Sequence, residues 1–368
     1  MEIPIFNTFI DKSSFSSVSK VLDSTYISEG ALVKEFENNL SHELNIVNPV
    51  AVNSGTSALH LSLILAGVGP GDEVIIPAQT FIATGLVVLQ QGAVPVFADI
   101  EFETGNISCE SVKSKITSKT KAVIVVHWGG YPCEMDNLIS ICQNNNLILI
   151  EDAAHALGAI YKGKEIGSIS DYTCFSFQAI KHLTTGDGGL IACKSSIKAE
   201  EAVQRRWFGI NRSESKLSNL GERIYDLNLL GFKYHMNDYA AALGIANLLS
   251  FKKRLQQRLD VAKLYDEELS SVPGIKLFNY SKQIKSSYWL YGFHVDKRDE
   301  FIKHMKKNGI ATSVVHQRID KYKIFGGIRH DLGNQFKFDQ SQIHIPIHEL
   351  VDLDVAKKIV NIIKQGWT

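Results

Sequence analysis

Between Pro49 and Asp152 the chain alternates short apolar runs with longer, periodic ones. PVAVNS leads into the helix-like SALHLSLILAG, DEVIIPAQ into TFIATGLVVLQQG, and AVPVFADI into a polar loop and CESVKSKI; KAVIVVHW, EMDNLISICQNN and LILIEDAA continue the series. Apolar strands alternating with helices of about ten residues predict right-handed βαβ units around a mostly parallel, buried sheet. After Asp152 the strand-like runs GAIYKG, DYTCFSF and GGLIACK have no long helix between them. They read as the closing part of the same sheet, with some strands antiparallel. Ahead of the alternation, LVKEFENNLSHEL places Leu32, Phe36, Leu40 and Leu44 at helical spacing. With an amphipathic segment beginning at Ser14, it predicts two packing helices separated by the turn Ser28-Glu29-Gly30.

Further on, a charged helix is predicted over about Ile197 to Trp207 and a polar loop from Asn211 to Glu222. Asn237 to about Leu269 reads as one long helical stretch, a natural connector to a smaller domain. The remainder mixes strand-like YWLYGFHV and GIATSVVHQ with helices at about Arg298 to Lys307 and Asp354 to Gln365. The expected fold is therefore α/β: a large domain over residues 1–250 with a mostly parallel, mixed sheet, and a small α+β domain over 251–368.

Composition narrows the partners. Lys plus Arg and Asp plus Glu both number 39, so no global field favours nucleic acid or an anionic membrane, and only a local basic pocket for phosphates stays open. The five cysteines show no CxxC pair or metal spacing; buried thiols in a reducing compartment, with no metal site, are expected. The N-terminus lacks a basic region followed by an apolar stretch, and no window approaches 18 uninterrupted apolar residues, so a cytoplasmic protein is expected.

Ligands of a wound α/β sheet collect at the carboxyl ends of its strands, and three such ends carry suggestive residues. In Asn53-Ser54-Gly55-Thr56-Ser57, Gly55 admits close backbone approach, and Thr56 and Ser57 offer hydroxyls at a helix N-terminus that suits a phosphate; an ordinary N-cap uses the same residues. Asp152, after the strand LILI, would hold a pyridine ring nitrogen protonated, with His155 in reach of the same ligand. The alternative is a capping acid and a satisfied buried histidine. In FSFQAIKHLTTGDGG, Lys181 closes an aromatic, apolar run, and Ser176 precedes it by five residues. A partly desolvated lysine amine is a nucleophile toward an aldehyde near neutral pH. A phosphate cradle, an acid for a ring nitrogen and an amine for an aldehyde are the three anchors that pyridoxal phosphate needs.

The chain resembles the sugar aminotransferases of the DegT/DnrJ/EryC1/StrS family, which have the aspartate-aminotransferase fold, fold type I of the enzymes dependent on pyridoxal phosphate. The resemblance rests on NSGTSALHLSL, PAQTFIATG, EDAAHALGA, FSFQAIKHLTTGDGGL and GFKYHMNDYAAALGIANL, which occur in the family's order over about residues 25 to 250. It implies that Lys181 bonds the cofactor and later shuttles a proton, and that Asp152 pairs with the pyridine nitrogen. His155 would lie near the ring hydroxyl, Phe81 would stack on the ring, and Thr56, Ser57 and Ser176 would bind the phosphate. In the family a segment of the neighbouring subunit completes the phosphate site, which implies a homodimer with shared active sites. Here that segment is Gly231 to Met236, and Lys233 and His235 stand where the family has asparagine and arginine. The implied reaction passes an amino group from glutamate to a nucleotide-linked keto sugar, a 4-keto-6-deoxy sugar before a 3-keto one, for an aminosugar of a surface polysaccharide such as the O-antigen of lipopolysaccharide.

Two rivals share the fold. Sugar 3-dehydratases carry a histidine in place of the lysine, and Lys181 argues against them; a non-catalytic regulator is the other. Weaker candidates are Arg205, Arg206, Trp207 and Arg212 for a carboxylate or nucleotide phosphates, His127 and Trp128 for the pocket wall, and His316 and Arg318 for the sugar.

Overall fold

A computed structural model of the chain describes residues 2–212 and 215–367. Positions 213 and 214 of the expected polar loop lie outside the described residues. Seven strands form the central sheet: β1 (Pro49–Val52), β2 (Glu73–Pro77), β3 (Val94–Ala98), β4 (Thr120–Val126), β5 (Ile148–Asp152), β6 (Tyr172–Ser176) and β7 (Gly189–Cys193). Their order is β1-β7-β6-β5-β4-β2-β3, and only β7 runs against its neighbours. This is the mostly parallel, mixed sheet expected from the alternation.

The strands are apolar throughout because helices cover both faces. Side-chain alternation divides each strand between two cores: Val123, Val125 and Leu149 enter one, and Ala122, Ile124 and Ile150 the other. The first core is closed by helices α2 (Ala31–Leu44), α5 (Cys109–Lys115), α6 (Met135–Asn144) and α8 (Asp238–Leu248), the second by α3 (Gly55–Leu65), α4 (Ile82–Gln90) and α7 (Ser196–Arg205). On α2 the expected stripe is real: Phe36, Leu40 and Leu44 are buried and Leu32 packs beside them. Helix α1 (Ser13–Ser24) lies ahead of it.

A third core joins α9 (Phe251–Leu269), α10 (Arg298–Lys307) and α12 (Leu353–Lys364) to an antiparallel sheet of β8 (Ile275–Leu277), β9 (Tyr291–Val295) and β10 (Gln342–Ile345), with α11 (Gly333–Ser341) leading into β10. Trp128, Trp289, Leu290, Ile100 and Phe338 form a smaller cluster drawn from both parts of the chain. No described helix is long and apolar enough to cross a membrane.

Three expectations change. The run GAIYKG does not join the central sheet: Gly158, at φ 79°, turns the chain away, and Ile160–Tyr161 pairs with Lys164–Glu165 and Ile284–Lys285 instead. The long helix from Asn237 breaks between α8 and α9, where Arg254 donates to the carbonyl of Asn247 at 2.8 Å and takes over a helix-end acceptor. GIATSVVHQ is no strand; Val315 has φ 61° and the segment makes two isolated bridges, Ile310 to Ile3 and Ser313 to His344.

The open edge of β1 is closed by a buried ion network. Glu37 accepts the N–H of Ala51 at 2.9 Å, and Arg206 donates to the carbonyl of Ala51 at 2.8 Å and to Glu37 at 2.6 Å. Its second nitrogen reaches Glu29 at 2.7 Å. Edge groups that would otherwise invite another strand are thus occupied. Replacing Arg206 by Ala leaves Glu37 buried without its cation, and is expected to cost about 3–5 kcal/mol, read as a lowered midpoint in urea unfolding.

Candidate active site

A cavity of about 320 Å³ opens at the carboxyl ends of β1, β5 and β6, between the central sheet and the C-terminal part of the chain. Its wall includes Thr56, Phe81, Asp152, His155, Ser176 and Lys181, six of the residues singled out from the sequence, together with His316.

The turn after β1 is built by close approach. Ser54 caps α3, its hydroxyl accepting the N–H of Ser57 at 3.0 Å. A Cβ on Gly55 would lie 2.9 Å from that of Ser176, and one on Gly189 would lie 2.3 Å from the carbonyl carbon of Ser54. Both glycines are therefore required for β1, β6 and β7 to meet. Gly55 and Thr56 open α3 and line the cavity, presenting first-turn N–H groups and the positive end of the helix. Ser57 does not line it; its hydroxyl donates to Asn53 Oδ1 at 2.6 Å and holds the turn.

At the end of β5, Asp152 is buried with both oxygens occupied. Thr84 Oγ1 donates to Oδ2 at 2.7 Å and the Ala154 N–H to Oδ1 at 3.2 Å, while Thr80 and Thr84 share a 2.7 Å hydroxyl contact. Burial pushes the Asp152 pKa up, against the bond from Thr84 and the attraction of Lys181. Lys181 keeps some accessible surface as a residue, yet its amine is enclosed, and desolvation lowers its pKa to about 7. That amine lies 3.7 Å from the ring centroid of Trp289. His155 stacks on the same indole at 3.8 Å, is held neutral by burial, and has no hydrogen-bond partner at Nδ1. Phe81 is not a core aromatic: it is 53 % exposed and tilts toward His316 at 5.1 Å. Burial takes the His316 pKa down to about 4.

Lys233 and His235 do not reach this cavity. Lys233 lies 5.0 Å over Trp207, and His235 packs edge-on to Trp207 at 4.2 Å with its pKa lowered to about 4, chiefly by burial. The weaker candidates are mostly engaged elsewhere. Arg206 is in the ion network, Arg205 pairs with Glu201 at 2.7 Å, and Arg212 lies over Trp207. Arg318 is locked by two 2.6 Å bonds to Asp320, and buried His127 meets Glu151 at 2.8 Å.

Thr80, Thr84, Gln178 and Trp289 were missed from the sequence. The one-turn spacing of Thr80 and Thr84 inside PAQTFIATG signals a paired hydroxyl relay; Trp289 was hidden in a run read as plain strand.

The residues present fit pyridoxal phosphate. A helix N-terminus with adjacent hydroxyls suits its phosphate, a buried carboxylate its ring nitrogen, and an unpartnered imidazole nitrogen its ring hydroxyl; a desolvated amine suits its aldehyde. A type I sheet carrying these groups at its carboxyl edge defines the class: an enzyme dependent on pyridoxal phosphate. The chain belongs to the DegT/DnrJ/EryC1/StrS aminotransferase family, which matches residues 8–364. It is 31% identical to GDP-perosamine synthase of Escherichia coli O157:H7, over 85% of this chain and 84% of that one. The crystal structure of AtS13 from Actinomadura melliaura superposes with a TM-score of 0.95 at 34% identity, covering 100% of this chain and 99% of that one. The PLP form of the putative sugar aminotransferase Spr1654 from Streptococcus pneumoniae gives 0.91 at 29% identity, covering 99% and 98%.

An amine adds to an aldehyde only when neutral, so the lowered pKa of Lys181 sets a pH window. Covalent uptake of pyridoxal phosphate by the cofactor-free protein, trapped with borohydride and mapped to the Lys181 peptide, should rise to half-maximum near pH 7. An ordinary lysine would hold it off toward 10.5.

Proposed function

We propose that this enzyme transfers an amino group from glutamate to a keto sugar carried on a nucleotide diphosphate, with a 4-keto-6-deoxy sugar preferred, in the making of an aminosugar for a surface polysaccharide. The single observation that carries the reading is the enclosure of Lys181 and Asp152 in one cavity, beneath a helix N-terminus. The substrate class is supported by similarity to GDP-perosamine synthase and to sugar aminotransferase structures.

When bound, pyridoxal phosphate supplies an electron sink for the carbon whose hydrogen is exchanged. Lys181 Nζ holds the cofactor and, once released, takes and returns the proton at the substrate carbon; a pKa near 7 lets it do both at neutral pH. Asp152, kept in place by Thr84 and Ala154, presents its charge to the ring nitrogen. His155 Nδ1 is left for the ring hydroxyl, and Phe81 packs on the ring. Thr56, Ser176 and the start of α3 bind the phosphate, with Ser57 fixing the turn. Lys233 and His235, turned away from their own cavity, are assigned to the phosphate site of a second copy in a homodimer.

The first test is spectroscopic. The purified protein should show the visible band of a lysine-bound cofactor, and glutamate should bleach it toward the near ultraviolet. Lys181→Ala should lack the band and lose at least about 10³-fold in activity on nucleotide-linked keto sugars. Asp152→Asn should keep the band and lose about 10²-fold or more. A wild-type protein with no band after incubation with pyridoxal phosphate overturns the reading.

A further inference from the structure

Lys181 sits in the connection between β6 and β7, in a segment with no regular secondary structure. Local backbone bonds are few there: the Lys181 N–H reaches the Gln178 carbonyl at 2.9 Å, and Thr185 N–H the Phe177 carbonyl at 2.9 Å. A long side chain on such a segment has much rotamer freedom to lose.

The support comes from residues about a hundred positions later. Trp289 Nε1 donates to the carbonyl of Ile180 at 2.9 Å. His182 Nε2 donates to the carbonyl of Ser287 at 2.8 Å. Between these two bonds, the amine of Lys181 lies over the face of Trp289. Ser287 and Trp289 are themselves anchored, since Ser287 Oγ donates to the His155 carbonyl at 2.9 Å and the N–H groups of Ser287 and Leu290 reach Gly130 and Gly129 at 3.1 Å.

We propose that Trp289 is a positioning residue for Lys181: while Ser287 holds His182, the indole face of Trp289 holds the free amine inside the cavity whenever the lysine is not bonded to the cofactor. The inference rests on Lys181 being the cofactor lysine. An ammonium over an indole face is attracted by the ring quadrupole. The other groups facing the amine are Asp152 from β5, which attracts it, and His155, His182 and His316, all kept neutral by burial.

The test compares wild type, Trp289→Phe and Trp289→Leu. Each cofactor-free protein is exposed to pyridoxal phosphate across pH, reduced with borohydride and peptide-mapped. The half-maximum of labelling at Lys181 should coincide for wild type and the phenylalanine variant. In the leucine variant it should fall by about one pH unit, because the ring face that favours the ammonium is gone. With cofactor restored, the leucine variant should lose about 10-fold in kcat with KM for glutamate within about 2-fold of wild type, and the phenylalanine variant should recover most of the loss. An unchanged or raised half-maximum in the leucine variant, or equal losses of kcat in both, overturns the proposal. Wild-type labelling at another lysine would overturn the assignment of Lys181 itself, so the two failures are distinct.

Discussion

Glu151 and Asp152 are two neighbouring carboxylates at the buried end of β5, the middle strand of the sheet. Leaving either without donors in that interior would be costly. Strand geometry points them to opposite faces, so each finds its own partners. Glu151 takes the hydrogen bonds of His127, Ser170 and Thr173, and although burial works to raise its pKa, those donors bring it below the usual value. His127 accepts the Cys133 N–H at Nδ1, which leaves Nε2 as the donor to Glu151. Asp152 instead faces the cavity and, among the described residues, takes hydrogen bonds from Thr84 and Ala154. One acid is consumed by the fold; the other is left under-neutralised, where a cationic ring nitrogen would meet it.

The same separation governs the rest of the ligand-facing edge. Where backbone must come close, glycine occupies the position, as at Gly55 and Gly189. Where chain ends must be fixed, side chains from far along the sequence do it. Asp238, opening α8, accepts the N–H groups of Gly30 and Val33 at 2.8 and 3.1 Å and so caps α2 from about two hundred residues away. Arg206 and Glu37 seal the edge of β1 in a similar way. Near the cavity, the edge of β1 and the start of α2 are thereby tied to α7 and α8.

These ties explain what could be read from the chain and what could not. The alternation of apolar strands and periodic helices is a local signal, and it yields the central sheet and most helices. Thr56, Asp152, Ser176 and Lys181 were also legible, because each stands at a strand end or just beyond one, beside small or turn-forming residues. GAIYKG carries no local sign of its pairing, because a two-residue pairing and a longer strand have the same local pattern. The break between α8 and α9 depends on Arg254 reaching Asn247 and His182, contacts that periodicity does not carry. Trp289 was hidden for a related reason. In YWLYGFHV an aromatic residue before the strand proper is indistinguishable from one within it, and only tertiary contact shows that Trp289 faces the lysine.

A reactive lysine in an irregular connection carries a physical conflict. In the role proposed for Lys181 it would leave and regain a bond to a cofactor, which favours a mobile side chain, yet its effectiveness in proton transfer would depend on staying near one position. Placing it in a helix would fix the backbone but would not hold the amine. The chain resolves the conflict by dividing the work between its two parts. The sheet supplies Asp152 and the α3 terminus, while on the role proposed for Trp289 the C-terminal part supplies an aromatic face to which the amine would return without forming a hydrogen bond that would have to be broken. A carboxylate in that position would bind the ammonium more tightly and draw its pKa upward, costing the neutral form needed for addition. An indole attracts the cation more weakly and remains apolar enough to keep water out. The location of Trp289, outside the sheet but bonded to the residue preceding Lys181, suits that proposed requirement.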